Sequence, residues 1–161
     1  MRKILIAAVA LVAMGAAFAA VAAGGTHSVA QQRVRIEVSG TGPFAFVLTP
    51  RSKGKIQRDT GQLDFCCWSS WNVTRAGASL EVTNPLLTLT GAQGTLKIRQ
   101  RIEWVDLPDG YSMWTGTWKV VGGTGAYAAL SGHGFDAGVW EPENKPDRDI
   151  RIRLFGFLGP K

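Results

Sequence analysis

The sequence predicts an all-β fold: a single small antiparallel closed β-barrel of about eight strands, preceded by a signal peptide. Three observations predict it. Beyond the N-terminal segment, apolar residues recur at every second position in short runs, and no stretch sustains a 3.6-residue period. Gly, Pro, Ser, Asn and Asp separate those runs at near-regular intervals, as in antiparallel sheets joined by tight turns. Gly116 interrupts a run of aromatic and β-branched residues, where glycine permits the sharp curvature that barrel closure needs. The 161 residues suit one domain, and 45% apolar against 19% charged residues supplies a core and excludes a disordered chain.

Arg2 and Lys3 precede Ile4 to Met14, an uncharged apolar run, and small residues follow from Gly15 to Gly25. This is the layout of a secretory signal peptide, and Ala20-Val21-Ala22 offers a small-x-small cleavage site after Ala22. The expected organisation is a signal peptide at 1–22, a flexible N-terminus at 23–32 and a barrel domain at 33–161. An uncleaved anchor competes, because Ile4 to Ala23 would just span a bilayer. The run is rich in Ala rather than Leu, however, and Gly15 breaks it. The expected location is secreted or extracytoplasmic, with a mature form that does not span a membrane. Loss of Arg2 and Lys3 takes the net charge from +6 to +4, too dilute for a dedicated nucleic-acid binder.

Val34, Ile36 and Val38 alternate with charged residues and define the first strand, which ends at Ser39-Gly40-Thr41-Gly42-Pro43. Phe44 to Leu48 is the second, and Thr49 to Thr60 reads as a polar, basic loop. Gly61 to Trp68 and Trp71 to Arg75 read as a pair around Ser69-Ser70, followed by Ser79 to Thr83 and Leu86 to Thr90. Thr95 to Val105 and Tyr111 to Val121 are the longest runs, and Asp106-Leu107-Pro108-Asp109-Gly110 between them dictates a tight reversal, making them the central hairpin. Ala126 to Leu130 suggests a single helical turn, and Gly132 to Trp140 and Asp149 to Leu158 complete the count.

Thr115-Gly116-Thr117-Trp118-Lys119-Val120-Val121 runs directly into Gly122-Gly123-Thr124-Gly125-Ala126-Tyr127 and on to Gly132-His133-Gly134. This segment resembles the strand, glycine-rich turn, aromatic and glycine-rich strand of the allene oxide cyclase-like barrel, shared with plant dirigent proteins, and looks like a motif of secreted actinobacterial proteins. The matching residues are Gly122, Gly123, Gly125, Tyr127 and Gly132; Ala129 and Leu130 depart from the small middle residues of the motif. The resemblance implies a lumen that holds a small apolar molecule. It carries no catalytic residue onto this sequence. Physically, Gly122, Gly123 and Gly125 are expected to adopt positive φ at a turn, with Tyr127 plugging one barrel end while its hydroxyl stays wet. A phosphate-binding loop is excluded, because no substantial helix follows and no lysine is appended.

Strand parity selects the candidate ligand-binding residues. Leu96, Ile98, Ile102 and Trp104 share one face, with Gln100 as its lone polar member, and His133 alternates with Phe135, Ala137 and Val139. Buried polar side chains need partners, so either Gln100 and His133 converge in the lumen, or Gln100 bonds neighbouring backbone and His133 sits at the barrel mouth. Trp114 and Trp118 share the parity of Gly116, and with Trp104 they form an inward tryptophan set suited to core packing or to an aromatic ligand. His27 offers the second imidazole but lies in the N-terminal segment, so no metal site and no cofactor are expected. Lys97, Arg99 and Arg101, with Arg151 and Arg153, would make one basic flank if their strands were neighbours. Cys66 and Cys67 are adjacent, about 3.8 Å apart at Cα, which strains a bridge between them. Two readings stay open: a redox-active vicinal disulfide, or Cys67 in the core beside Leu63 and Phe65 with Cys66 facing outward. Three functions fit: a secreted binding or scaffold protein holding an apolar or aromatic small ligand, a cyclase, isomerase or dirigent-like enzyme using His133, or a surface protein that contacts anionic envelope polymers.

Overall fold

The computed structural model describes residues 31–75, 78–142, 144–145 and 149–161. The expected signal peptide lies outside them. The described strands are β1 (Gln32–Gly40), β2 (Phe44–Pro50), β3 (Asp59–Cys66), β4 (Ser70–Arg75), β5 (Ala78–Thr83), β6 (Leu86–Gly91), β7 (Gly94–Asp106), β8 (Ser112–Gly123), β9 (Leu130–Trp140) and β10 (Ile150–Pro160). A single 3₁₀ turn at Gly125–Tyr127 follows β8. Gln32, assigned above to a flexible N-terminus, already belongs to the sheet and is buried; its amide donates to the Ser52 and Ile56 carbonyls.

Eight strands close in the order β7-β6-β3-β2-β1-β10-β9-β8, with β8 returning to β7. All pairings are antiparallel, and once the β4–β5 excursion between β3 and β6 is set aside the barrel strands follow chain order, so the barrel is an up-and-down meander that β10 closes against β1. The two outer strands correct one expectation. Gly61 to Trp68 and Trp71 to Arg75 do not pair with each other: β3 pairs with β6, and β4 with β5. Together these strands form one long interrupted hairpin, and the chain runs on past Ser69-Ser70 instead of reversing there. Cys67 marks the interruption with φ 56°, and Asn84 and Pro85 mark it on the return. Strand β7, thirteen residues long, therefore pairs on one side first with β6 and then, at Ile102 to Trp104, with β5.

Alternation fills the lumen. Val34, Ile36, Leu48, Leu63, Leu89, Leu96, Ile98 and Leu154 are enclosed in one core cluster with Trp114 and Trp118. Each buried aliphatic or aromatic side chain of this kind contributes about 1.5–3 kcal/mol. Strand β9 makes room for the tryptophans by turning glycines inward: a Cβ on Gly138 would overlap the Trp114 ring, and one on β10's Gly156 would crowd Trp118. A Cβ on Gly116 would press into the backbone of β7, so glycine there permits a close strand approach.

Candidate functional site

The two ends of the barrel are built differently. At one end Tyr127 enters the lumen from the 3₁₀ turn and is buried, as the sequence predicts for its ring. Its hydroxyl is not wet. It donates to Asp59 Oδ2 at 2.8 Å, and burial together with that carboxylate pushes the phenol well above its ordinary range. Asp59 also accepts from the Thr60 and Ala92 amides at 2.9 and 3.2 Å, and from Gln93 at 3.4 Å. Asp59 falls within the residues read as a polar loop, and strand parity alone gave no reason to single it out. Of the turn glycines, Gly125 alone has the expected positive φ, at 56°. Gly122 and Gly123 instead end β8, where a Cβ on Gly123 would collide with the Tyr127 and Thr95 carbonyls and one on Gly122 would meet open space. Gly132 faces inward against Leu158. This end is shut.

The opposite end is open. A cavity of about 380 Å³ is walled by Phe44, Phe65, Trp68, Trp104, Trp114 and Trp140, with Glu81, Thr83 and Pro85 on the β5–β6 side and Gln100 among its lining. Trp104 stacks on Trp114 with ring centroids 4.7 Å apart and planes 3° from parallel, and Trp140 meets Trp104 edge-on at 6.3 Å. Phe44 and Phe65 form a second edge-to-face pair at 5.3 Å. Trp104 is held from the rim, where its indole N–H donates to Asp106 Oδ1 at 2.8 Å and Ser112 donates to the same oxygen at 2.6 Å. Those two donors hold the Asp106 carboxyl below its ordinary range, the serine foremost.

Gln100, only 2% exposed, is lumenal as its parity predicts, and its amide donates to Asp136 Oδ2. His133 is the correction. It is exposed on the outer face of β9, 6.0 Å from the Phe157 ring, and lines no part of the cavity. The inward residues of β9 are Gly132, Gly134, Asp136 and Gly138, opposite to the parity read from the apolar Phe135, Ala137 and Val139. A lumen already carrying Trp114 and Trp118 has no volume left for those bulkier residues. Asp136 is 4% exposed, and burial pushes its carboxyl up to about 7 against the smaller opposing effect of the Gln100 hydrogen bond. Its Oδ1 and the Trp114 indole nitrogen have no hydrogen-bond partner among the described residues. Asp136 does not itself line the aromatic cavity and is joined to it through Gln100; a carboxyl poised near neutrality there can donate a hydrogen bond or a proton below that pH and accept one above it.

The basic flank also dissolves, since β8 and β9 separate β7 from β10. Cys67, one alternative for the core, is exposed, because its positive φ breaks the alternation; Cys66 is half-buried and both thiols are free. The hydrogen bond with Cys67, and then burial, raises the Cys66 thiol above its ordinary value. Among the described residues no three His, Cys, Asp or Glu side chains gather as a metal site, and no helix is long and apolar enough to cross a membrane.

Fold and site together define an up-and-down eight-stranded barrel, plugged at one end and aromatic-walled at the other. The sequence matches no family model, no curated protein and no solved structure.

Proposed function

We propose that this chain is an exported small-molecule-binding barrel that holds an apolar or aromatic ligand in its open end. One observation carries the reading: the Trp104–Trp114 stack and the Trp140 edge face a cavity of about 380 Å³, within the size range of small-ligand sites, with Gln100 as its buried polar member. Stacking and area burial there supply affinity, and the Gln100–Asp136 pair supplies a polar group for orientation. Export rests on the leader residues, and the resemblance of Gly122 to Gly134 to the allene oxide cyclase-like barrel points to the same kind of lumen. The test is titration with an apolar naphthylamine probe while tryptophan emission is followed. Saturable micromolar binding is expected, and Trp104→Ala should weaken it about tenfold, the loss of one good aromatic contact and its area. Absence of saturable binding, or unchanged affinity in Trp104→Ala, overturns the reading.

A second reading, an isomerase or cyclase, draws on Asp136 in place of His133. The carboxyl titrating near 7 is the group such a reaction would use as acid or base. A turnover that Asp136→Asn abolishes while probe affinity persists would select it.

A further inference from the structure

The outer surface of β9 and β10 carries an aromatic patch that the cavity does not use. Phe135 is 71% exposed, Phe155 47% and Phe157 36%. Strand register places them together. Phe155 pairs with Phe135, and Phe157 with His133. The same register flanks the patch with cations on both sides. Arg35 lies beside Phe155 and Arg33 beside Phe157 on β1; Lys119 lies beside His133 on β8, and Arg101 beside Thr117 on β7. The Arg35 guanidinium sits 5.8 Å from the centre of the Phe155 ring. The carboxylates of this surface, Glu37 and Glu103, border it one step away along the strands, and Glu37 is already engaged by Arg35 and, at 3.8 Å, Arg153.

We propose that this face docks on an anionic lipid bilayer, with Phe135 entering the headgroup boundary and the flanking cations meeting lipid phosphates. Exposed apolar area on this scale marks an interaction surface, and cations arranged about it select a negatively charged partner. A second copy of the chain would set the two basic borders against their equals. A hydrated anionic polymer would use the cations but would give three phenylalanines, which have no hydrogen-bonding group, nothing to bury against. A bilayer boundary satisfies both, since apolar side chains sink into it while basic ones stay at the phosphates. The inference stands apart from the mouth cavity, whose residues it does not share.

The experiment is hydroxyl-radical footprinting of the full chain, read at the individual phenylalanine side chains so that membrane affinity of the N-terminal segment does not enter. Vesicles of phosphatidylcholine with phosphatidylglycerol should protect Phe135, Phe155 and Phe157 severalfold; phosphatidylcholine alone and soluble heparin should not. A Phe135→Ser, Phe155→Ser double variant should raise the lipid concentration that half-protects Phe157 about tenfold, equivalent to about 1.4 kcal/mol of lost binding, with the fold checked by circular dichroism. Arg33→Glu with Lys119→Glu should abolish protection and leaves the apolar patch intact. Equal protection by heparin would assign the face to an anionic polymer, and protection that grows with protein concentration alone would assign it to a second copy. Either result, or no protection by anionic vesicles, overturns the proposal.

Discussion

At the shut end of the barrel Asp59 accepts from three backbone amides and the Tyr127 hydroxyl, whereas Asp136, reached from the open end through Gln100, holds one oxygen on that amide and leaves the other without a partner among the described residues. Both carboxyls are buried in the same lumen by the same alternation. The difference lies in what surrounds them. Turn backbone and a hydroxyl converge on Asp59, while Asp136 has Leu154 and Gly116 as its cross-strand neighbours and Gln100 as its hydrogen-bond donor. A satisfied buried group serves stability, and a half-satisfied one costs stability unless something else completes it. The contrast separates the end that holds the barrel together from the end that has capacity left for a ligand.

The strongest way to break this contrast is to remove the satisfied carboxylate. Asp59→Ala strands the Tyr127 hydroxyl and the Ala92 and Gln93 amides, and should cost about 3–5 kcal/mol in urea unfolding. Tyr127→Phe, which deletes one donor, should cost about 1.5–3 kcal/mol. Equal losses would show that the ring's packing, not the hydrogen-bond set, closes this end.

Next comes the pH dependence of the open end. Burial raises the Asp136 carboxyl from an ordinary value of 3.8 to about 7. Below the ordinary value both folded and unfolded chains hold the proton, so the group is neutral to stability. Between the two values the folded chain keeps a proton that the unfolded chain has lost, so stability falls as pH rises, and it levels off above about 7. The loss from this group is a few kcal/mol, at most about 4. Asp136→Asn should flatten that slope and raise stability at pH 8, as urea unfolding across the pH range would show. A slope unchanged by the substitution would remove Asp136 as its source.

The smallest effect is expected at the residue that the sequence singles out most plainly. His133→Ala, exposed on the outside of β9, should change stability by under about 0.5 kcal/mol and leave probe affinity unaltered. A tenfold change in affinity would place the imidazole back in the site.

The failure at His133 and the success at Gln100 have one physical cause. In β7 and β8 the inward residues are also the larger apolar ones, Leu96, Ile98, Ile102, Trp114 and Trp118, so hydrophobic alternation reports the lumen correctly and identifies Gln100 as its polar exception. In β9 the inward residues are glycines and an aspartate, because Trp114 and Trp118 already take the space. Hydropathy then points outward. The signal that was present is steric: glycines alternating at 132, 134 and 138 on a strand whose partner carries large aromatics at the same period. The meander and most strand limits were legible because turn chemistry and alternation agree along most of the chain. The β3–β6 pairing was not, since Ser69-Ser70 has the composition of a reversal while the backbone change falls at Cys67. Asp59 escaped because its partners beyond the neighbouring Thr60 amide are the Ala92 and Gln93 amides and the Tyr127 hydroxyl, all distant in sequence, which no local pattern announces.

The seam between β1 and β10 runs from Gln32 beside Leu158 to Gly40 beside Ile150. Every other seam of the barrel is a hairpin contact available as the chain emerges, but this one joins the first and last described strands. It carries the heaviest loop-closure entropy and gates the folding rate. Until β10 arrives, a nascent chain presents unpaired sheet edges on β1 and β9 in addition to the β4 edge that the folded sheet keeps, each able to recruit another chain. A ribosome-bound or prematurely terminated product that lacks β10 is therefore a sticky open ribbon, and closure waits on that strand.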